Sequence, residues 1–211
     1  MKLTRKKLRR LIEGILNEMP ARQPMGLDPS FYWTVQRISM MGFEEEWDDN
    51  TESFRDRQFV ETVRITGNMV LPGLGDTEIA HLQMKKFLDC SHWEIKNAAV
   101  KGDRFYKNYK INQPETVKDL GPMMYDIAME TAGESGIISD STGSSGDAQT
   151  VWNFYLKNRA GIDIDVIDLA PGTCGRPGNF PAMTFQFKVY RKKPGSPSII
   201  QSLGNKIRIF N

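Results

Sequence analysis

The chain has 211 residues, of which 39% are hydrophobic and 26% charged, and its formal net charge is +2. These values are typical of a globular protein that can bury a core, and so small a net charge indicates no particular partner. No apolar run of about 18 residues is present, and no uninterrupted apolar stretch follows the basic N-terminus, so we expect neither a transmembrane helix nor a secretory signal.

The cysteines and histidines restrict the chemistry to be expected. Cys90 and Cys174 lie far apart in no metal-ligand spacing, and His81 and His92 are the only histidines. Two histidines are too few for a convincing zinc enzyme, so no metal site is predicted. We expect both cysteines to be free thiols in a reducing compartment.

Residues 1–19 form a basic amphipathic segment. Residues 2–18 have apolar side chains at helical spacing, and six of the first ten residues are Lys or Arg. This pattern suits the solvated face of a helix that docks on a partner, a contact to nucleic acid phosphates or another anionic surface, or a targeting peptide. Prolines mark residues 20–30 as a linker, so residues 31–211 are predicted to form one domain. The apolar positions are Leu3, Leu8, Leu11, Ile12, Ile15 and Leu16, and the basic ones are Lys2, Arg5, Lys6, Lys7, Arg9 and Arg10.

The rest of the chain predicts a mixed sheet with helices. A helix is predicted over residues 77–89, with Asp76 or Thr77 as its N-cap. Its apolar residues are Ile79, Leu82, Met84 and Leu88. Strands before, between and after the helices favour an α/β or α+β fold. Alternation predicts strands at residues 59–70, with a turn at 67–68, and at 93–100, 162–169, 183–191 and 206–210, while residues 31–38 suit a strand or a short buried helix.

Two charged stretches have open interpretations. The acidic cluster at residues 44–49 favours a solvated turn over a metal site, although it could instead cover the basic N-terminal segment, within one chain or across a subunit boundary. Residues 104–111 interleave basic and aromatic side chains, which suits single-stranded nucleic acid or a charged ligand. A lysine-shielded edge strand explains the same stretch equally well.

A helix with marked ends is predicted between residues 119 and 133. Gly121 suits the N-cap, Pro122 the first helical position and Gly133 a left-handed C-terminal position. A helix that starts at a glycine turn presents unpaired N–H groups and the positive end of its dipole, which together can hold an anion such as a pyrophosphate. The same features also suit an ordinary core helix.

A short strand and a second helix follow. Ile137 and Ile138 form an apolar run, residues 139–146 form a Gly/Ser loop, and residues 147–159 predict a helix with an apolar face. Lys157 and Arg159 lie in its last turn, and Gly161 follows it.

The order glycine turn, helix, short strand and helix resembles the acyl-CoA-binding half of the GNAT acyltransferase superfamily. The segment LGPMMYDIAMETA, the run GIISD and the helix AQTVWNFYLKNR are also similar to a group of proteins from tailed-phage genomes, many of which begin with a short basic helix. The resemblance covers roughly residues 115–165 and the opening segment. It implies a GNAT-like central sheet flanked by helices, with a V-shaped opening between two central strands beside the N–H groups of residues 121–124.

The resemblance also implies a cofactor site. Acetyl-CoA or another acyl-CoA would be held by the glycine turn, with the loop of residues 141–146 closing over it. The chain would then be an acyl-CoA-dependent N-acyltransferase or a non-catalytic relative, in the host cytoplasm or the virion. The implied cofactor-binding residues are Leu120, Gly121, Pro122, Met123 and Met124.

The family pattern is only partly matched. Asp119 replaces the first glycine and Thr116 the Gln or Arg of the pattern, while Trp152 stands where the family has its acidic Tyr. Trp is too weak an acid to return a proton to a leaving thiolate, so Tyr125 or Tyr155 would have to replace it. These departures equally favour a virion structural or assembly protein that docks through residues 2–18. The candidate general bases are Glu94, Glu115 and Asp140.

Overall fold

The computed structural model describes residues 30–48, 53–110, 112–114, 120–140, 145–170, 172–175 and 185–210. The basic segment, the linker and the positions of Glu115, Thr116 and Asp119 therefore lie outside the described residues. Within the described ranges, no helix has the length and hydropathy needed to span a bilayer.

The described residues contain nine strands and four α-helices, which confirms the mixed class predicted from the sequence. The helices are α1 (Asp103–Asn108), α2 (Leu120–Ala132), α3 (Gly146–Phe154), which continues as a π-helical turn over Tyr155–Arg159, and α4 (Ile199–Leu203). The strands are β1 (Phe31–Ile38), β2 (Gly42–Asp48), β3 (Ser53–Leu71), β4 (Gly75–Phe87), β5 (Trp93–Val100), β6 (Ile137–Ile138), β7 (Ile164–Asp168), β8 (Lys188–Lys192) and β9 (Ile207–Phe210).

All nine strands belong to one sheet of order β7-β8-β6-β5-β4-β3-β1-β9, with β2 paired to β3 outside this path. Most neighbours are antiparallel, and the parallel pairs are β5 with β6 and β1 with β9. The sheet thus has two halves. One is built from β1 to β5 with β9, the other from β6, β7 and β8, and they meet where β5 pairs with β6.

The two faces of the sheet carry different cores. On one face, buried side chains of β1, β3, β4 and β5 pack against α2, whose Met124, Ile127 and Ala128 are no more than 1% exposed. On the other face, a smaller cluster contains Phe59, Phe87, Ile138, Val189 and the Cys90–Cys174 pair. The first core therefore fixes the position of α2, and the second joins the two halves of the sheet.

The helix predicted over residues 77–89 is wrong, because this segment is strand β4. Its burial alternates at Leu82 and Met84, and it pairs along its length with β3 on one side and β5 on the other. The apolar spacing fits both periods over so short a window, and tertiary pairing decided between them.

Three further expectations need correction. Residues 67–68 do not turn, because β3 continues through them with a bulge, and a Cβ on Gly67 would lie 3.0 Å from the Trp33 ring. Residues 103–108 form α1 rather than an edge strand. The acidic stretch at 44–48 lies in β2 instead of a solvated turn, and its Glu46 is only 2% exposed.

The expectation of two free thiols is also wrong. Cys90, in the turn between β4 and β5, forms a disulfide with Cys174, which follows β7. Both side chains are buried in the smaller core. Their separation of 84 residues hid this proximity, which only the pairing of the two sheet halves creates.

Candidate functional site

The parallel strands β5 and β6 pair only briefly and then part. Only Trp93 with Ile137 and Glu94 with Ile138 are paired, after which β6 ends while β5 continues to Val100. Beyond Glu94, this edge of β5 has no strand partner among the described residues. The two halves of the sheet therefore leave a gap beside β5 beyond Glu94.

A β-bulge in β5 lies at the start of this gap. Gln83 of β4 pairs with Asn97, whereas the next residue, Met84, pairs with Ile95, so Lys96 is an extra residue without a partner in the ladder. Bulges bend a strand, redirect a side chain and are common beside functional sites. Here the bulge lies two residues after Glu94, the last residue of β5 that pairs with β6, and Lys96 lies at the inner end of the gap.

A cleft fills the gap between β5 and the first turns of α2 and α3. Its outer part has a volume of about 440 Å³ and its inner part about 160 Å³, and Ala98, Tyr125 and Ala148 line both parts. The outer walls are mainly apolar, with Val100, Met124 and Val151 among them. Lys96 and Asp140 line the inner end, where the cleft approaches the opposite face of the sheet.

The predicted cofactor-binding residues occupy the first turn of α2 in different ways. Gly121 and Met124 line the outer cleft. Leu120 is fully buried in the core, and the Met123 sulfur accepts a hydrogen bond from Trp33 Nε1 at 3.3 Å. Pro122 has no N–H to offer, so this turn presents fewer donors than a helix start normally does.

The two candidate catalytic tyrosines lie in different environments. Tyr125 lines both parts of the cleft, and no described residue hydrogen-bonds its hydroxyl. Burial raises the pKa of Tyr125 to about 12. Tyr155 is fully buried instead, and its hydroxyl donates to the Pro122 carbonyl at 2.7 Å and approaches Asp126 Oδ1 at 3.0 Å.

Tyr155 therefore joins α3 to the first turn of α2. Burial, and then the neighbouring Asp126 carboxylate, raise its pKa well above the ordinary value. Arg159 reinforces this connection, because its Nη1 donates to both carboxylate oxygens of Asp126, at 2.7 and 2.9 Å. These contacts hold the two helices that form the cleft at a fixed separation.

Trp152 forms part of the inner wall of the cleft. It is 1% exposed and packs edge-on against Tyr125, with ring centroids 5.0 Å apart. Its other neighbour is Tyr190 of β8, at 4.7 Å between centroids. Where the resemblance implies a proton donor, the chain has an aromatic packing residue.

A buried ionic cluster closes the inner end of the cleft. Its centre is Arg57, which donates to Glu46 at 2.8 Å, to Glu94 at 2.9 Å and through two nitrogens to Asp89. Arg57, Glu46 and Glu94 are at most 4% exposed. The ionic cluster consists of Glu46, Arg57, Asp89, Glu94, Lys96 and Asp140.

Lys96 connects the ionic cluster to the cleft. Its ammonium lies 3.0 Å from Glu46, 3.2 Å from Glu94 and 3.1 Å from Asp140. Burial alone would lower the pKa of Lys96, but the neighbouring carboxylates outweigh it and the pKa rises. Lys96 is therefore a fixed cation, and it cannot act as a base at neutral pH.

Glu94 and Asp140, two of the candidate bases, thus come together at Lys96, while Glu115 lies outside the described residues. The sequence did not indicate that Lys96, Glu46 and Arg57 belong to the same site. A signal was present, because two charges in β5 and an alternating charge pattern in β2 and β3 lie where an apolar face is expected. No metal-type group of three or more His, Cys, Asp or Glu side chains occurs in the described ranges. Comparison with protein-family models, curated proteins and solved structures found no significant match.

Proposed function

We propose that this chain is a GNAT-like protein that binds acyl-CoA in the cleft between β5 and the first turns of α2 and α3, and transfers the acyl group to an amine. The observation that carries the proposal is the parallel pair that parts after two residues, with the first turn of α2 lining the gap. The resemblance leads us to expect an opening beside residues 121–124, so a cleft lined by Gly121 and Met124 supports the proposal. Residues 122–132 are helical and Ile137–Ile138 joins the sheet, as the same expectation requires.

The cleft suits the narrow, mostly apolar arm of acyl-CoA better than its phosphates. Ala98, Val100, Met124 and Val151 provide apolar walls along the outer cleft. The edge of β5 beyond Glu94, which has no partner strand in the described part of the chain, can pair with amide groups of the arm. The first turn of α2 retains backbone donors at Gly121 and Met123 for a phosphate oxygen. Since Pro122 lacks an N–H, only the N–H groups of Gly121 and Met123 and the helix dipole are available to bind the phosphate.

The inner end supplies the groups for transfer. Asp140 lines the inner end beside Lys96, so an approaching amine meets a carboxylate there. When an amine attacks the thioester carbonyl, the carbon–nitrogen bond forms and the carbon–sulfur bond breaks, while the nitrogen loses a proton and the leaving sulfur gains one. Tyr125 lines the cleft and can relay that proton, because its hydroxyl, which is protonated at neutral pH, can give its own proton to the sulfur as it accepts the proton of the nitrogen.

The test is calorimetric titration with acetyl-CoA at about millimolar concentration, using two matched glycine variants. A Cβ meets open space at both Gly121 and Gly102, but only Gly121 lines the cleft. Gly121→Glu places a carboxylate beside the phosphates, and we expect it to weaken binding by about tenfold or more through like-charge repulsion. Gly102→Glu adds the same charge before α1 and should bind as the wild type does. Absence of heat with a folded wild-type sample would contradict the proposal.

A second candidate function is a non-enzymatic role in a phage particle. It is favoured by the pairing of the candidate bases with Arg57 and Lys96 and by the hydrogen bonds that occupy the Tyr155 hydroxyl. Such a fold can serve as a packing unit without a free acid or base. Mass spectrometry of purified particles tests this role. Peptides of this chain in particles would support it, whereas their presence in infected cells alone would contradict it.

A further inference from the structure

The hairpin of β2 and β3 has two chemically different sides. Antiparallel pairing places Phe43 opposite Gln58, and Glu45 opposite Asp56. Because side chains alternate along each strand, these residues lie on the side opposite Glu44, Glu46, Arg55 and Arg57, which face the ionic cluster. We call this second side the outer face, formed by Met41, Phe43, Glu45, Phe54, Asp56 and Gln58.

The outer face combines exposed apolar groups with negative charge. Met41, Phe43 and Phe54 are 71%, 68% and 67% exposed. Neither Glu45 nor Asp56 has an ion pair within the described part of the chain, although they lie directly opposite each other. Like charges in this arrangement destabilise a hairpin, and exposed aromatic groups around them mark a contact surface.

The chain itself contains a segment of matching chemistry. Residues 2–18 contain six Lys or Arg within the first ten positions and two glutamates after them, and Leu8, Leu11, Ile12 and Ile15 share one face of the predicted helix. We propose that the outer face is the docking surface for residues 2–18 of this chain. Lysines of the segment pair with Glu45 and Asp56, while its apolar side chains cover Phe43, Phe54 and Met41.

The linker between the two is long enough. Ser30 accepts a hydrogen bond from Val70, at the opposite end of β3 from Asp56. Fourteen residues of strand separate Val70 from Asp56, or about 46 Å at about 3.3 Å per residue. Residues 19–29 span at most about 38 Å when extended, and the 17 residues that follow toward the N-terminus cover about 25 Å as a helix. Residues 2–18 can therefore reach the outer face of their own chain. They can also reach the outer face of a second copy, for which the linker needs to be less extended.

Zero-length carbodiimide coupling of the full chain tests the docking, because it joins an amine to a carboxylate only at contact. Mass spectrometry should find Lys2, Lys6 or Lys7 joined to Glu45 or Asp56. Mixing isotope-labelled and unlabelled chains separates contacts within one chain from contacts between copies, and either supports the proposal. Coupling of the same lysines at equal yield to Asp103, Glu134 and Asp147, which are exposed elsewhere, would overturn it.

A pair of surface variants tests the apolar part. Removing both rings by Phe43→Ser with Phe54→Ser should lower the coupling yield roughly tenfold, since each ring loses a buried contact. Ile209→Ser removes a 53% exposed apolar side chain on β9 and should leave the yield unchanged. Unchanged coupling in the double variant overturns the proposal. The proposal is also overturned if Glu45 and Asp56 couple mainly to lysines of residues 31–211 in a second copy. In that case the domain of the second copy, and not residues 2–18, would cover the outer face.

Discussion

Arg57 is the residue on which the ionic cluster depends, because one guanidinium contacts Glu46, Asp89 and Glu94 at once. Its plane also lies over the Phe87 ring, 4.0 Å from the centroid. Burial would lower the pKa of Arg57, but these carboxylates raise it above the ordinary value. The charge is thus retained in a buried position where water cannot replace a missing partner.

We predict that Arg57→Met lowers the free energy of unfolding by about 3–5 kcal/mol, because Glu46 and Glu94 would stay buried without their cation. Urea denaturation measures the change. The control is Arg64→Met, which breaks a pair of equal length with Glu78 at 2.9 Å on the surface. That variant should lose no more than about 1 kcal/mol. Equal losses would show that burial does not strengthen the Arg57 interactions.

Glu130 of α2 connects three parts of the C-terminal region and should make stability depend on pH. It accepts from the Lys192 ammonium, the Ser198 hydroxyl and the Ile199 N–H at the start of α4. Burial would raise its pKa, but these donors outweigh burial and lower the pKa below the ordinary value of 4.5. The folded state therefore favours the charged carboxylate.

A folded pKa below the unfolded one gives stability that is present above the unfolded pKa and lost as pH falls through the folded pKa. We expect the free energy of unfolding of the wild type to exceed that of Glu130→Gln by roughly 1–3 kcal/mol at pH 7, since the variant loses hydrogen bonds to a charged group. The difference should shrink as pH falls below 4.5. Urea denaturation of both proteins at several pH values measures it, and a constant difference would contradict the assignment.

At the scale of elements, the turn between α2 and β6 depends on two glycines with different surroundings. Gly133 and Gly136 both have a positive φ, of 59° and 65°. A Cβ on Gly133 meets nothing within 4 Å, whereas on Gly136 it would lie 2.8 Å from Val189 and 2.9 Å from the Tyr190 carbonyl. The close approach of β6 to β8 therefore requires glycine at position 136.

We predict that Gly133→Ala costs about 1 kcal/mol, the strain of a left-handed alanine, and that Gly136→Ala costs clearly more. The extra loss arises because the Tyr190 carbonyl is backbone and cannot move without disturbing the pairing of β6 with β8. Thermal and urea unfolding of the two variants measure the losses. Similar losses would indicate that β8 shifts freely to accept a methyl group.

The elements also show what could be predicted from the sequence. Alternation was sufficient for β7, whose sequence keeps period two. Strands β5 and β9 were also predicted, although the bulge at Lys96 interrupts the alternation in β5. It failed for β4, whose apolar side chains fit both periods until pairing with β3 and β5 is known. The end of α2 was predicted by Gly133, which follows Ala132 with a positive φ. The predicted start was wrong, because Leu120 is already helical, so Gly121 is not the N-cap and Pro122 is not the first helical residue.

The candidate site was predictable only in part, because local motifs are visible in the sequence whereas strand pairing is not. Gly121 and Met124 were identified from a local motif, and both line the cleft. The contact of Lys96 with Glu46 and Asp140 depends on a bulge and on strand pairings across 50 and 44 residues, which no local pattern encodes.

At the scale of the whole molecule, the Cys90–Cys174 disulfide joins the two halves of the sheet beside their short pairing. We predict that the double substitution Cys90→Ala and Cys174→Ala lowers the free energy of unfolding by about 2–4 kcal/mol, since the bond closes a long loop in the unfolded chain. Reductant should lower the thermal transition of the wild type toward that of the variant and leave the variant unchanged. A wild type whose thiols are shown to be reduced, yet whose transition is unshifted, would contradict this prediction.

The paired strands of the sheet are separated by very different lengths of chain, which sets the order in which they can pair during synthesis. Strands β3, β4 and β5 are joined by short hairpins, so they can pair soon after they leave the ribosome, whereas β6 must return in parallel after 36 residues and β9 only at the end of the chain. Because non-local parallel pairing is slow, the free edges of β1 and β5 remain open to other nascent chains during that interval. The period of greatest aggregation risk therefore lies between the emergence of Val100 and that of strand β9, and slower translation would prolong it.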